Sequence, residues 1–355
     1  MAKKLRLGAI GNGGIWEWAH ADAWLANPEV EIVAVCDIIK EKAEKFAEKH
    51  NIKHVFADYK DLLKLDDLDF IDICTPNVFH SEMAVAGLNR GLHVFCEKPD
   101  AVNPVEAQKM ANAAKKSGKR LMVMRNNRFI ASSQFMKKYI AAGHMGEIYA
   151  GRCGWVRRRG IPGKGGWFTT KALSGGGPLI DLGVHFIDVA MWMMGNPRPV
   201  AVSGMTYCKF AKSTGADSVH SKFGTAQEGG TFDVEDLAMG FIKFDNGACL
   251  QIEFSWASNI ETEGHFAELR GTKGGCTLLG GGDLKIFTEI EGTLCDIHPK
   301  FPKTNVSAHA ANLNHFIDVL KGRCEPIFKP EQGVDMIKIL SAIYKSASNG
   351  KEVRL

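Results

Sequence analysis

Residues 5–124 alternate short, nearly continuous apolar runs with stretches of helical length. The apolar runs are LRLGAI, EIVAVCD, DFIDICT, LHVFCEK and RLMVM, and the stretches between them include EKAEKFAEKH, HSEMAVAGLNRG and NPVEAQKMANAAKKSG. Apolar strands joined by helices are typical of a parallel sheet that helices cover on both faces. The pattern therefore predicts a doubly wound α/β domain over residues 1–125.

The pattern changes after about residue 147. Longer strands with antiparallel signals follow, including LAMGFIKFDNGACLQIEFSW, in which Asn246-Gly247 marks a hairpin turn. One helix is expected over 178–194, a long Gly-, Ser- and Thr-rich loop over 211–234, and two closing helices over about 307–322 and 330–348. Residues 126–355 are thus predicted to form an α+β domain with a large, open, mostly antiparallel sheet, whose closing helices pack back toward the first domain.

The composition narrows the classes of function. The net charge is only +4 and the longest basic run is Arg157–Arg159, which argues against a nucleic-acid partner. No apolar stretch approaches the roughly 18 residues of a membrane span. The nine cysteines are scattered, as is typical of reduced thiols. We expect a cytoplasmic protein with neither a nucleic-acid nor a membrane partner.

The segment AIGNGGIWEW, residues 9–18, follows the first strand and has the features of a phosphate-binding loop. Gly11 and Gly13 match the first two glycines of Gly-x-Gly-x-x-Gly, whereas Trp16 stands at the third. We expect the Trp16 indole to point toward the ligand cleft. The predicted cofactor contacts in this loop are Gly11, Asn12, Gly13, Gly14, Ile15 and Trp16.

The second strand ends at Asp37, about 20 residues beyond the loop. A carboxylate at this position accepts hydrogen bonds from the ribose diol of adenosine and repels a 2′-phosphate. Ile38 and Ile39 supply no cation for such a phosphate, so the sequence favours NAD over NADP. The alternative is that Asp37 is only a turn residue or a helix cap.

The segment GGGPLIDLGVHFIDVAMWMMGNP is apolar except for Asp181, His185 and Asp188, whose spacing places them on one face of a helix. Burying three ionisable groups without partners would cost several kcal/mol. They therefore pair with one another or face a polar cleft. The alternatives are a core histidine at His185 and, at Asp181, a carboxylate that balances the helix dipole.

With TPNVFH at 75–80 and EKP at 97–99, the whole chain resembles the Gfo/Idh/MocA family of oxidoreductases. The resemblance implies a Rossmann domain that binds NAD, then an α+β domain whose sheet often forms the interface of a homo-oligomer, a dimer or tetramer. It also implies a cis bond between Lys98 and Pro99. The implied contacts of the nicotinamide ribose are Thr75, Asn77, His80, Glu97 and Lys98.

The resemblance further implies that Lys98, Asp181 and His185 are the catalytic residues. Oxidation of an alcohol removes a proton from oxygen while a hydride leaves carbon. A histidine such as His185 can accept that proton near neutral pH. Asp181 can orient the imidazole or hold a neighbouring hydroxyl, and Lys98 can stabilise the developing alkoxide. This chemistry requires no metal.

The expected substrate is a carbohydrate. Trp167 can stack on a sugar ring, Trp16 and Trp18 add aromatic surface, and Arg159 or Lys164, like Arg157, can bind a charged group. The alternative is that the arginines are solvent-facing charges of a strand. The best single expectation is oxidation at carbon 3 of a pyranoside. A family lyase or glycosidase that recycles tightly bound NAD, and a non-enzymatic NAD sensor, are the alternative functions.

Overall fold

A computed structural model describes residues 3–213 and 223–355 of the chain. The chain forms two compact units. The first comprises Met1–Met124 and Val306–Val334, and the second comprises Arg125–Asn305 and Asp335–Leu355. The first closing helix therefore belongs to the first unit, although it follows the second unit in the sequence.

The first unit contains a six-stranded sheet in the order β3-β2-β1-β4-β5-β6, with every pair parallel. This confirms the predicted doubly wound sheet. The strand order reverses between β1 and β4, and such a point opens a crevice at the carboxyl ends of the strands. The strands are β1 (Leu5–Ile10), β2 (Val30–Cys36), β3 (His54–Phe56), β4 (Phe70–Ile73), β5 (His93–Cys96) and β6 (Leu121–Val123).

The helices between these strands begin and end at residues suited to those positions. Asn103 caps one of them with its side chain, which accepts a hydrogen bond from the amide of Glu106, and Gly118 ends it at a positive φ of 67°. A π-helical turn, Trp16–His20, follows the glycine loop. The helices are α1 (Ala21–Ala26), α2 (Lys40–His50), α3 (Tyr59–Leu62), α4 (His80–Asn89) and α5 (Pro104–Ser117).

The second unit contains a nine-stranded sheet in the order β14-β13-β12-β11-β7-β10-β9-β8-β15. Among the strand pairs that the described residues form in this sheet, only β7–β10 is parallel, and β9 and β10 form the hairpin expected at Asn246-Gly247. The predicted open, mostly antiparallel sheet is confirmed. The strands are β7 (Ile148–Val156), β8 (Pro199–Tyr207), β9 (Leu237–Phe244), β10 (Cys249–Ser255), β11 (Gly264–Gly271), β12 (Gly274–Leu279), β13 (Leu284–Ile290), β14 (Thr293–Ile297) and β15 (Val353–Arg354).

The helix expected over 178–194 is interrupted. The chain forms one short helix, Pro178–Asp181, and a longer one, Gly183–Met193, separated by Leu182, whose carbonyl accepts from the amide of His185 in the first turn of the longer helix. Every residue of the longer helix other than His185 is buried. The remaining helices are α6 (Ala131–Ala141), α7 (Lys171–Ser174), α8 (Pro178–Asp181), α9 (Gly183–Met193), α10 (Ala308–Leu320) and α11 (Pro330–Asn349).

Part of the loop expected over 211–234 lies outside the described residues. Its later part packs against the segment 163–171. The Thr169 hydroxyl donates to the carbonyl of Thr231 at 2.7 Å, and the amide of Gln227 donates to the carbonyl of Lys164. Within the described ranges, none of the helices combines the length and the apolar character needed to cross a bilayer.

Candidate active site

The glycine loop brings the ends of β1 and β4 together. Gly11 has a positive φ of 88°, and a Cβ on it would lie 2.7 Å from the carbonyl carbon and oxygen of Cys74. Only glycine fits this close approach. At Gly13 and Gly14, by contrast, a Cβ would meet no atom within 4 Å. The loop therefore presents open backbone that a ligand can approach.

Asn12 has an unsatisfied side chain. It is 1% exposed, yet neither polar atom of its amide has a hydrogen-bond partner among the described residues. A buried amide without partners costs about 1–3 kcal/mol. These donor and acceptor atoms lie next to Gly13 and Gly14, at the carboxyl end of β1. This arrangement fits the binding of a dinucleotide.

Asp37 lies at the end of β2 and is half-buried. One carboxylate oxygen accepts from the amide of Asn12 at 2.8 Å, and the other accepts from the amide of Ile39 at 2.9 Å. Asp37 thus stabilises the turn, and each oxygen keeps a lone pair for a ribose hydroxyl. The exposed Ile38 beside it supplies no cation, and Lys40 pairs with Glu44 at 3.0 Å.

The expectation for Trp16 is wrong. Its side chain is 0% exposed and packs edge-on against Phe46 of α2, with 5.5 Å between ring centroids. The indole therefore belongs to the core of the first unit and does not point into a cleft. In the motif Gly-x-Gly-x-x-Gly, the third glycine allows the helix to pack closely on the sheet. Here Trp16 occupies that position, and a π-helical turn begins at it. Trp18 is 62% exposed and contacts the ring of His309 edge-on at 5.0 Å.

His80 also has a different role from the expected contact with the ribose. Its Nδ1 lies 2.7 Å from the carbonyl oxygen of Pro99, and its Nε2 lies 2.9 Å from that of Thr75. Burial lowers the pKa of His80. A neutral imidazole has one N–H, which the shorter contact assigns to the carbonyl of Pro99. Because both ring nitrogens face protein oxygens, the expected contact with the ribose is disfavoured. Thr75 itself is half-buried, and Asn77 is buried.

The turn after β5 contains Glu97, Lys98 and Pro99. The bond between Lys98 and Pro99 is cis, which confirms the prediction. Glu97 is buried: one carboxylate oxygen lies 2.9 Å from Nε2 of His20, and the other accepts from the amide of Lys98 at 3.0 Å. Lys98 is half-buried. Glu97 therefore contacts Lys98 directly and holds its backbone.

In the second unit, Asp188 is separated from the other two polar residues of its segment. Its carboxylate is buried and pairs with Arg125 at 2.9 Å and with Arg128 at 2.7 Å, and these arginines hold the pKa of Asp188 below its usual value. Asp188 neither pairs with Asp181 or His185 nor faces a polar cleft. It is a buried ion-pair residue.

Asp181 and His185 are the half-exposed residues of α8 and α9. The carboxylate of Asp181 accepts a hydrogen bond from the indole of Trp256 at 3.0 Å. The ring of His185 lies 6.0 Å from that of Trp155, measured between centroids. Because α9 is otherwise buried, the half-exposed position of His185 disfavours the core-histidine alternative. Both side chains are therefore partly accessible from outside this segment.

Near His185 lie Trp155 and His265, which the sequence analysis did not single out, and Arg157, which it named as a possible contact for a charged group. The ring of Trp155 contacts that of His265 at 4.7 Å, and the Arg157 guanidinium lies over the same indole at 4.8 Å. Burial lowers the pKa of His265. The signal in the sequence is the segment GWVRRR, where Trp155 and Arg157 are two residues apart at the end of β7, a spacing that places both side chains on the same face of an extended chain.

The three residues proposed to bind substrate differ in their surroundings. Trp167 is half-buried and stacks on Phe168 with centroids 3.8 Å apart. The Arg159 guanidinium donates to the carbonyl of Ser258 and the side chain of Asn259, each at 3.0 Å. The Lys164 ammonium donates to the carbonyls of residues 210 and 213. Arg159 and Lys164 thus join loops, which argues against a substrate role for them.

The start of α8 is fixed by Glu235 and Tyr344. The buried Glu235 carboxylate accepts from the amides of Gly177 and Leu179 at 3.0 and 3.1 Å and from the Tyr344 hydroxyl at 2.9 Å. A Cβ on Gly176 would lie 2.0 Å from the Tyr344 oxygen. These contacts hold the turn that begins α8 and hence place Asp181.

Comparison with known proteins agrees with this organisation. Residues 5–125 match the family model for an oxidoreductase family with an NAD-binding Rossmann fold, and residues 137–355 match that for its C-terminal alpha/beta domain. The chain is similar to a D-glucoside 3-dehydrogenase of Escherichia coli (strain K12), with 34% identity over 99% of this chain and 97% of that protein.

Two further relatives differ in their cofactors. A scyllo-inositol 2-dehydrogenase (NADP(+)) of Bacillus subtilis (strain 168) is 32% identical over 53% of this chain and 57% of its own. The structure of GenD2 from gentamicin A biosynthesis, in complex with NAD, superposes with a TM-score of 0.79 at 26% identity, over 100% of this chain and 97% of that one. The chain thus belongs to the Gfo/Idh/MocA family of NAD-binding oxidoreductases, whose members similar to it include sugar and glycoside dehydrogenases.

Proposed function

We propose that the protein is an NAD-dependent dehydrogenase that oxidises a ring hydroxyl of a pyranoside at carbon 3. The observation that carries the proposal is that Asp181 and His185 are the half-exposed residues of an otherwise buried helical segment, with the ring of His185 6.0 Å from that of Trp155. The choice of carbon 3 is supported by the full-length similarity to a protein named D-glucoside 3-dehydrogenase.

The proposed cofactor is NAD. Its nicotinamide accepts the hydride when the cofactor is bound. The open backbone at Gly13 and Gly14 and the buried amide of Asn12 would hold the pyrophosphate, and Asp37 would hold the adenosine ribose. The carboxylate of Asp37 also disfavours the 2′-phosphate of NADP. Thr75, Asn77 and Lys98 are the proposed contacts at the nicotinamide end.

The proposed roles follow from the side chains. His185 accepts the proton of the reacting hydroxyl, and a positioned general base of this kind contributes roughly 100- to 10,000-fold to the rate. The Lys98 ammonium hydrogen-bonds the reacting oxygen and stabilises negative charge on it. Asp181, held by the Trp256 indole, accepts a hydrogen bond from a neighbouring hydroxyl. These roles suit a carbon that is flanked by two oxygen-bearing carbons.

Aromatic surface supports a glycoside as the substrate. Trp155 and Trp167 are both half-buried, and each leaves part of an indole exposed. Apolar ring faces of a sugar pack well on such surfaces. Trp16 is excluded from this role by its burial. The proposed substrate contacts are therefore Trp167, Asp181 and His185.

A comparison of substrates tests the proposal. The absorbance of NADH is followed with methyl and aryl β-D-glucosides, glucose and myo-inositol, each with NAD and with NADP. We expect fastest turnover with a glucoside and NAD. Faster turnover of inositol would contradict the glycoside assignment, and a preference for NADP would contradict the role of Asp37. Bond cleavage without net NADH would instead identify the recycling lyase or glycosidase.

Assembly into a homo-oligomer through the nine-stranded sheet stays a prediction. Sedimentation equilibrium measures the mass directly. A mass of one chain at micromolar concentration would contradict it.

A further inference from the structure

His20 is a fully buried histidine that the proposed chemistry does not use. It ends the π-helical turn after the glycine loop and is 0% exposed. Its Nδ1 lies 2.7 Å from a carboxylate oxygen of Asp72 in β4, and its Nε2 lies 2.9 Å from one of Glu97 after β5. The imidazole therefore joins two neighbouring strands of the parallel sheet.

Each of the two carboxylates also accepts from an N–H group that can only donate, as an ionised carboxylate does. The same oxygen of Asp72 also accepts from the indole of Trp24 at 2.6 Å. The second oxygen of Glu97 accepts from the amide of Lys98 at 3.0 Å. Ionised carboxylates only accept hydrogen bonds, so both ring nitrogens of His20 must donate, and an imidazole that donates from both nitrogens is positively charged.

The surrounding charges agree with this state. Against the effect of burial, the charge of Asp72 and its hydrogen bond raise the pKa of His20 well above its usual value, and the hydrogen bond from His20 lowers the pKa of Glu97 to about 2. Burial raises the pKa of the Cys74 thiol to about 12, so it stays neutral. Burial lowers the pKa of His309 to about 4, so His309 adds no competing charge near neutral pH.

We propose that His20 is a permanently protonated positioning residue that locks Glu97, and that Glu97 in turn fixes the backbone of Lys98. His80 holds the same turn from its other end through the carbonyl of Pro99. These contacts hold the backbone from which the Lys98 side chain extends. The catalytic consequence rests on the proposed function, whereas the charge on His20 and the contact of Glu97 with Lys98 do not.

Nitrogen-15 NMR of histidine-labelled protein tests the charge. We expect both ring nitrogens of His20 to carry protons from about pH 6 to about pH 9, a range in which an ordinary histidine loses its charge. The signal is assigned as the one missing in His20→Gln or, if that variant does not fold, as the one that shifts most in Asp72→Asn. A neutral tautomer, or a titration near the ordinary histidine value, would overturn the proposal.

Two isosteric variants test the link to Lys98. In Asp72→Asn, the amide oxygen can still accept from both His20 and Trp24, because one oxygen of Asp72 accepts both bonds. In Glu97→Gln, the two carboxylate oxygens serve different donors, so one of His20 and the Lys98 amide loses its acceptor. Each variant removes one negative charge beside His20, which makes them a matched pair.

The fluorescence of bound NADH measures cofactor affinity, and steady-state kinetics measure turnover. We expect NADH affinity to fall further in Glu97→Gln than in Asp72→Asn, and kcat in Glu97→Gln to fall by roughly 10- to 100-fold, as for a small misplacement of a catalytic group. Equal losses in the two variants would overturn the link. If no glycoside is oxidised, the proposed function fails, and the NMR and NADH affinity still decide the inference.

Discussion

Replacing Asp188 with asparagine should destabilise the second unit without touching the proposed chemistry. The two carboxylate oxygens receive Nε of Arg125 at 2.9 Å and Nε and Nη2 of Arg128 at 2.8 and 2.7 Å. In Asp188→Asn, an amide N–H₂ replaces one acceptor and faces a guanidinium donor. The variant therefore leaves two buried positive charges without their counter-ion.

Breaking a buried ion pair by removing one partner costs about 3–5 kcal/mol. For a unit of roughly 150–250 residues, each kcal/mol lowers the melting temperature by about 2–4 °C, so we expect a decrease of roughly 6–20 °C. The pKa of Asp188 is lowered in the folded state. Its contribution is therefore present above the unfolded pKa of about 3.9 and is lost as the pH falls through the lower, folded value.

Thermal unfolding followed by circular dichroism measures this effect, with His185→Ala as the contrasting variant. We expect His185→Ala to melt near the wild type and to lose roughly 100- to 10,000-fold in turnover. Replacement of the exposed His298 by alanine controls for loss of a histidine. A wild-type melting temperature for Asp188→Asn, or a low one for His185→Ala with turnover retained, would refute the division of roles within this segment.

Three further predictions concern the cofactor, the reacting oxygen and the glycine turn. Asp37→Ala should weaken NAD binding and reduce the preference for NAD over NADP, as measured by titration with each cofactor. An unchanged preference would contradict the proposed contact of Asp37 with the adenosine ribose. Lys98→Met should lower kcat with a smaller loss of NADH affinity, and normal turnover would exclude Lys98 from the chemistry. Gly176→Ala should lower both stability and turnover, because its Cβ would lie 2.0 Å from the Tyr344 oxygen. Wild-type unfolding and kinetics would refute the need for glycine.

The sequence predicts both sheets because their strands carry local signals. Buried parallel strands are continuous apolar runs, and the hairpin at Asn246-Gly247 has its own turn signature. Strand β3, His54–Phe56, was not predicted because it is short, begins with a polar histidine and has no fully buried residue, so no continuous apolar run marks it. The break between Asp181 and Gly183 was not predicted because the apolar pattern of the segment continues through Leu182 without interruption.

The residues of the candidate site were predictable only where a motif names them. Asp188 was grouped with Asp181 and His185 by spacing, but its partners Arg125 and Arg128 lie 63 and 60 residues away. The expectation that Trp16 points toward a ligand was wrong, because the position of a residue in the loop does not determine the direction of its side chain. The signal for the His20 network was Asp72, a lone carboxylate inside the apolar strand FIDI, which requires a buried donor.

Isotope transfer tests the central claim most directly. Methyl β-D-glucoside that carries deuterium only at carbon 3 is incubated with the protein and NAD, and the reduced cofactor is analysed by mass spectrometry. We predict deuterium in the NADH, and none from substrate labelled only at carbon 2 or only at carbon 4. NADH that forms without the carbon 3 label, or a label that stays in the sugar while no NADH accumulates, would contradict a net oxidation at carbon 3.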